Sequence, residues 1–327
     1  MWAYIVDEPN GAFRRIELPR PEPGARQVVV RIHAAGVNPL DTKIRAGHAE
    51  HARQPLPAVL GVDMAGTVEE VGAGVTEFRP GDEVYGMVGG VGGLQGTLAE
   101  FVAADADLLA RKPKRLSMRE AAALPLVTIT AWEGLVDRAK VNAGQQVLIH
   151  AGAGGVGQVA VQIARAFGAQ VFATVSAEKR QIVEEYGATP IDYRKRSTAQ
   201  YVAEETGGKG FDIVYDTVGG STLDESFLAV KRYTGHVLSS LGWGTHALAP
   251  LSFRGATYSG VFTLLPLLSG EYRAHHGRIL AEAASLADAG KLRPLLNPQT
   301  FTTDSLEAAY HSVAGGSLGK VVVCSKF

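Results

Sequence analysis

The spacing of apolar positions changes character twice along the chain. Over the first hundred or so residues, short β-like runs at 2–6, 13–18, 27–34, 66–71, 83–87 and 98–103 alternate with turn signals at Pro19, Pro21, Pro23-Gly24 and Pro80-Gly81-Asp82. Only 39–47 reads as a helix there, so this part predicts a compact barrel-like domain. From Ser117 the period lengthens: Ser117 and Glu120 form a capping box for a helix through Ala123, and 129–139 reads as a second helix. Strand-like and helix-like runs then alternate at 146–151, 156–167, 171–175, 178–186, 198–205, 211–216, 223–230 and 236–240. That alternation predicts a doubly wound α/β domain, a parallel sheet with helices on both faces. The run 257–263 reads as an edge strand, 278–289 and 304–313 as helices, with His275-His276 as a solvated helix start, and 320–324 as a closing strand. No linker separates these blocks, so the last one is expected to return to the β-rich domain. The domains expected are 1–121, 122–260 and 261–327.

The stretch Val147-Leu-Ile-His-Ala-Gly-Ala-Gly-Gly-Val-Gly157 empties a hydrophobic strand into a glycine-rich helix start. Gly152, Gly154 and Gly157 fit G-x-G-x-x-G, with Gly155 and Val156 between them. The first two glycines let backbone approach a pyrophosphate, the third lets helix pack on strand, and the helix N-terminus offers N–H groups to an anion. Val156, Ala160, Ile163, Ala164 and Phe167 share one helical stripe, and Gly168 ends it. The whole is a β-α-β unit of the size the fingerprint requires, so a Rossmann dinucleotide site is expected. A NAD-selective site places Asp or Glu near the end of the next strand. Here that end is Val175-Ser176-Ala177, followed by Lys179 and Arg180, which favours the 2′-phosphate of NADPH. Glu178 argues weakly the other way. Further contacts are expected at the ends of later strands, at Val218, Leu241 and Gly242.

With 46% hydrophobic and 20% charged residues and a net charge of −1, the 327 residues look like an ordinary globular chain. No long basic run suggests nucleic acid, and no stretch has the length of a membrane span. Cys324 is the single cysteine, which excludes an intrachain disulfide and a four-cysteine metal lobe and makes the cytoplasm the expected address. None of the nine histidines sits in a recognised ligand spacing.

Gly36-Val-Asn-Pro-Leu-Asp-Thr-Lys-Ile-Arg-Ala-Gly47, Leu60-Gly-Val-Asp-Met-Ala-Gly66, Val71-Gly-x-Gly-Val75, Phe78-x-Pro-Gly-Asp-x-Val84, Gly152–Gly157 and Gly319-Lys-Val-Val322 stand in order along nearly the whole chain. Together they resemble the medium-chain dehydrogenase/reductase superfamily, and within it the zinc-free, zeta-crystallin-like quinone oxidoreductases. The resemblance implies a GroES-like barrel around a central Rossmann domain. Zinc-dependent relatives carry Cys, His-Glu and a later Cys where this chain has Asn38, Val62-Asp63 and the neighbourhood of Leu126, so no zinc is expected. It places Asn38 and Thr130 beside the nicotinamide, Lys179 and Tyr193 (in Ile191-Asp-Tyr193) at the 2′-phosphate, and Lys320 within reach of the cofactor.

Without a Lewis acid, the feasible hydride acceptors are those that spread charge onto an enolate or phenolate: quinones and α,β-unsaturated carbonyls. Asn38 is the first active-site candidate. Asp41 either fixes the loop or proton path or caps the helix after Asn38. Lys43 replaces an aromatic residue common in quinone oxidoreductases, and either donates to substrate oxygen or faces solvent. Proton delivery has no evident dedicated acid. The expected function is an NADPH-dependent, metal-free reductase of a quinone or other conjugated carbonyl, as a homodimer paired through the 257–263 edge. A 2-enoyl thioester or 2-alkenal reductase is the enzyme alternative; the lack of a tyrosine between Tyr4 and Tyr85 counts against the thioester form. A non-catalytic NADPH-binding protein is the other.

Overall fold

The alternating runs at the start of the chain become strands β1 (Trp2–Val6), β2 (Arg14–Glu17), β3 (Gln27–Val37), β4 (Ala58–Val59), β5 (Asp63–Val71), β6 (Glu83–Met87), β7 (Phe101–Asp105) and β8 (Leu109–Arg111) in a computed structural model that describes residues 1–327. Helices α1 (Pro39–Arg45), α2 (Met118–Ala122) and α3 (Pro125–Trp132) follow or interrupt them. The expected strand at 98–103 begins later, at Phe101, because Leu98-Ala99 crosses to β1 instead: the Leu98 carbonyl accepts from Tyr4 N–H at 2.8 Å and Ala3 bridges Ala99.

The strand–helix alternation then gives β9 (Gln146–Ile149), α4 (Gly155–Ala166), β10 (Gln170–Val175), α5 (Arg180–Glu185), β11 (Thr189–Asp192), α6 (Thr198–Thr206), β12 (Ile213–Asp216), α7 (Ser221–Ala229), β13 (His236–Ser239), α8 (Ala249–Ser252) and β14 (Thr257–Gly260). The chain ends in α9 (Leu265–Ser269), α10 (Arg273–Asp288), β15 (Phe301–Thr302), α11 (Leu306–Ala314) and β16 (Val321–Cys324). Residues 1–129 with 264–327 form one unit, and residues 130–263 form the other.

In the first unit, β3 is the hub. It pairs antiparallel with β5, β7 and the returning β16, so the last strand does rejoin the first sheet, Val323 opposite Ala35. Two register shifts in the β3–β5 ladder bend this long strand, as a curled sheet requires. His276 departs from the expected solvated helix start: it is 0% exposed on α10, because that helix lays its Gly277 backbone within reach of Asp107 and Leu109 and carries the adjacent ring inward.

In the second unit, all six strands are parallel, in the order β11-β10-β9-β12-β13-β14. The order reverses direction at β9, which places the loop after β9 at the crevice where such sheets bind ligands. Leu148, Phe172, Phe211, Val214 and Phe227 fill a core beside the sheet. The helix that enters this unit continues as a π-helical turn, Glu133–Arg138. Tyr215 Oη donates to the Thr130 carbonyl just before that turn at 2.7 Å, with Gly134 leaving room for the ring.

Candidate functional site

In the second unit the glycine run does what its spacing implies. A Cβ on Gly157 would lie 2.1 Å from the Ala151 carbonyl oxygen, and one on Gly152 would lie 2.5 Å from Ala173 Cβ, so both positions are closed to a side chain. Gly154 is the N-cap of α4 and supplies no side-chain cap. The first intrahelical bond runs from Gln158 N–H to the Gly154 carbonyl, leaving the N–H groups of Gly155, Val156 and Gly157 without helical acceptors. A twelve-residue helix begun this way fits a pyrophosphate.

Register puts the neighbouring strand ends alongside. Val175 pairs with Asp192, so Ser176 and Tyr193 leave β10 and β11 side by side. Tyr193 is half exposed and Lys179 intermediate. Arg180 is turned away along its own helix, its Nε 2.8 Å from Glu184 Oε1. Glu178 is drawn back too: it accepts from its own backbone N–H and from the Ser176 hydroxyl, bonds that hold its carboxyl below the usual range, and Arg194 stands 3.6 Å away. Sequence reading missed Arg194, which also lies 5.7 Å from the Tyr193 ring. A neutral strand end with Lys179 and Tyr193 beside it fits a phosphorylated ribose.

Asp216, at the end of β12, was also missed. It is completely buried, accepts from Val218 N–H and Gly219 N–H at 3.0 and 2.9 Å, and takes the Ser239 hydroxyl at 2.7 Å. Leu241 N–H in turn donates to Ser239 Oγ at 3.1 Å. The N–H groups of Val218 and Leu241 are therefore occupied, which leaves their carbonyls for a ligand. At Gly242 a Cβ would lie 2.3 Å from Tyr258 Oη. His150 is buried just before the glycines, with Nδ1 3.2 Å from Thr174 Oγ1, and burial pushes its imidazole down to about 4, so it stays neutral. Thr130 is buried and shares a 2.7 Å hydrogen bond with Thr263.

In the first unit a polar cluster forms around Asn38, the N-cap of α1. Asn38 backbone N–H donates to Asp41 Oδ2 at 2.7 Å, so Asp41 is part of a capping box. The side-chain amide is held from both sides: Nδ2 donates to Asp63 Oδ2 at 2.9 Å, and Lys320 Nζ donates to Oδ1. Leu126 N–H holds the other Asp63 oxygen at 2.9 Å. Asn38, Asp41 and Asp63 are 0% exposed and Lys320 is 5% exposed. Burial pushes Asp41 up to about 7, with the Asp63 charge adding to it, and Asp63 up to about 6, against the opposing pull of Lys320. Burial also lowers the Lys320 ammonium from its ordinary value, and the two carboxylates oppose that shift.

These contacts fix which way the amide points. Its oxygen is taken by the ammonium, and its Nδ2 faces the two carboxylates, bonded to Asp63 and beside Asp41. Asn38 is thus left as a hydrogen-bond donor. Lys43 is outside this cluster: it is exposed and lines a groove with Thr42, Arg45 and His48. The cluster does not fit zinc. It offers two carboxylates and an amide with no His or Cys, its positive charge is already supplied by Lys320, and no three His, Cys, Asp or Glu side chains gather elsewhere.

Residues 24–114 match the profile of the alcohol dehydrogenase GroES-like domain, and residues 155–274 that of the zinc-binding dehydrogenase. The chain is 35% identical to the NADPH-dependent alkenal/one oxidoreductase, chloroplastic, of Arabidopsis thaliana, over 93% of this chain and 73% of that one. Among solved structures, an alcohol dehydrogenase superfamily protein from Novosphingobium aromaticivorans is 57% identical with a TM-score of 0.98, covering 100% of both chains. The quinone oxidoreductase from Coxiella burnetii is 27% identical with a TM-score of 0.81, covering 100% of this chain and 99% of that one.

Proposed function

We propose that this chain, which belongs to the medium-chain dehydrogenase/reductase family and to its quinone oxidoreductase-like branch, is an NADPH-dependent reductase of quinones or other conjugated carbonyls that works without a metal ion. The observation that carries the reading is the Asn38 amide, locked between Lys320 and Asp63 so that it can only donate. A donor fixed in a buried setting stabilises the oxygen of an enolate or phenolate as charge develops on it. A saturated ketone or an alcohol would ask for stronger polarisation than one amide supplies.

NADPH, when bound, supplies the hydride. The α4 N-terminus would hold its pyrophosphate through the N–H groups of Gly155, Val156 and Gly157, with Gly152 and Gly154 letting the backbone approach. Lys179 and Tyr193 would hold the 2′-phosphate, and Ser176 holds the Glu178 carboxylate by a hydrogen bond. Arg180, bonded to Glu184, is a weaker candidate than Arg194. Thr130, Val218, Leu241 and Gly242 would hold the nicotinamide end; in the first unit Lys320 positions the Asn38 amide.

The NADPH-dependent alkenal/one relative supports including enals and enones beside quinones among the acceptors. Steady-state NADPH oxidation, screened against quinones, enones, enals and enoyl thioesters, tests the reading: turnover is expected with at least one of the first three. Stoichiometric bound metal together with oxidation of a simple alcohol would overturn it, and NADPH affinity without any turnover would mark a binding protein.

Strand β14 ends the six-stranded sheet with an open edge, and pairing that edge with a second copy would satisfy its backbone groups, which supports a homodimer. Sedimentation at micromolar concentration checks it. No helix is long and apolar enough to cross a membrane, and a single cysteine suits a reducing cytoplasmic address.

A further inference from the structure

Lys43 lies outside the polar cluster around Asn38, and no carboxylate pairs with it. It does not stand alone. The end of α1 and the last turns of α11 line one groove of about 450 Å³, which brings Lys43 together with His48 and His311. All three side chains are exposed, and neither imidazole has a hydrogen-bond partner. Asn10 adds an exposed amide to the same groove.

The one acid in the groove wall, Glu307, is already neutralised. Arg45 Nη1 stands 2.8 Å from its Oε2, and Arg45 Nη2 donates to its Oε1 at 2.9 Å. Phe13 N–H donates to that same Oε1 at 3.2 Å. The carbonyls at the end of α1, which would otherwise draw cations and repel an anion, are taken as well. Those of Thr42, Lys43, Ile44 and Arg45 accept from the N–H groups of Ala46, His48, Gly47 and Asn10. Lys43 and the two imidazoles therefore present N–H groups that nothing in the protein receives, and an imidazole carries an N–H in either protonation state. The whole chain has a net charge of −1, so this excess of donors is local.

We propose that the groove between α1 and α11 is a binding site for a phosphate group, either the inorganic ion or the phosphate of a small organic molecule. Lys43 supplies the charge, and His48 and His311 close on the oxygens with N–H groups from the two sides. Ala46, Ala314 and the Tyr310 ring add an apolar side against which an organic part can lie. A cavity of this size is in the range of small-molecule sites. The groove shares no residue with the glycine helix start or the Asn38 cluster, and the site is independent of the reductase reading.

NMR of the full chain labelled at histidine reads the groove directly. The imidazole signals of His48 and His311 are assigned through His48→Gln and His311→Gln. On titration with inorganic phosphate both should move along one saturable curve, with a Kd of about 1 mM or tighter. Glycerol phosphate separates the two sources: tighter binding than the inorganic ion assigns the groove to an organic phosphate, and weaker binding assigns it to phosphate itself. Lys43→Gln should weaken binding about tenfold, and Lys43→Glu should abolish it. Unmoved signals of the buried His150 and His276 check that these variants keep the fold. Lys179→Ala, in the second unit, should leave the curve unchanged. Shifts that sodium chloride reproduces at matched ionic strength, shifts that never saturate, or a Lys43→Glu variant that binds as its parent does would overturn the site.

Discussion

Each unit buries a carboxylate completely, and the two are held in opposite ways. Asp216 in the second unit receives Val218 N–H, Gly219 N–H and the Ser239 hydroxyl, so both of its oxygens are engaged. Asp41 in the first unit takes the Asn38 backbone N–H on Oδ2, leaves Oδ1 unpartnered, and shares its surroundings with a second carboxylate, Asp63. A buried polar oxygen left without a partner costs about 1–3 kcal/mol, and a charged one more. A fully bonded carboxylate shapes a loop, whereas an under-bonded one beside a like charge exchanges protons near neutrality. Structure and chemistry are thus divided between two residues of the same type.

The sharpest way to break this contrast is Asp216→Ala. It strips two loop N–H groups and the Ser239 hydroxyl of their acceptor, so unfolding free energy should drop by about 3–5 kcal/mol in urea titrations. A drop below about 1 kcal/mol would mean that Asp216 is no clamp. Next in size is Asn38→Ala, which removes the side-chain amide of the under-bonded cluster while leaving Asp216 and the glycine helix intact. The expected kcat loss is about 100-fold at unchanged NADPH affinity. Loss of affinity instead of kcat would move Asn38 from the reacting oxygen to ordinary binding.

What could be read from the sequence follows how local each assembly is. The glycine helix start is legible because strand, turn and helix are contiguous, and each glycine meets a neighbour a few residues away or on the next strand. Parallel pairing followed from the strand–helix alternation, and the return of the last block to the β-rich domain was expected, though not that β3 would be its partner. The polar cluster was only half legible. Asn38 and Asp41 stand three residues apart and read as a cap, but Asp63 is 25 residues from Asn38 and Lys320 is 282 residues away. A count of metal ligands set Asp63 aside as a lone carboxylate and could not show that an ammonium arrives to oppose it. Lys43 was the reverse case, close to Asn38 in sequence yet exposed in the groove.

The contrast is sharpened, with a smaller effect, by the pH dependence of Asp41→Asn. Asp41 is raised from its ordinary 3.8 to about 7, so between those values the folded chain holds a proton that the unfolded chain has released. Stability from this group is full below the lower value and is lost as pH rises through the upper one, at up to about 1.4 kcal/mol per pH unit. Asp63, raised to about 6, loses stability over the lower part of the same range, and Lys320, lowered from its ordinary value, has the opposite sign at alkaline pH; both are common to the two proteins. Asparagine keeps an oxygen for the Asn38 N–H and carries no charge. Its stability relative to the parent should therefore increase by about 2 kcal/mol from pH 5 to pH 8. A constant difference across that range would mean that Asp41 is ionised throughout and shares the character of Asp216.

The smallest effect tests the exposed rim of the second unit, where charge is screened and not trapped. Lys179 has water access, and its neighbours Glu178 and Arg194 stand 3.6 Å from one another. A half-buried cation with water access contributes less beside a phosphate than a fully buried one, because water and salt compete for both partners. Lys179→Ala should lower the ratio of kcat/KM for NADPH over NADH by about tenfold, roughly 1.4 kcal/mol, through the NADPH value alone. The loss should shrink as ionic strength rises, since the Debye length falls to about 3 Å near 1 M salt. Arg194→Ala separates the contributions: if Arg194 also faces the phosphate, the ratio falls again; if it serves only to hold Glu178 aside, releasing that acid lowers NADPH use and raises NADH use together. An unchanged ratio in both variants would remove the phosphate from this strand end and leave the pyrophosphate cradle as the sole electrostatic anchor in the unit.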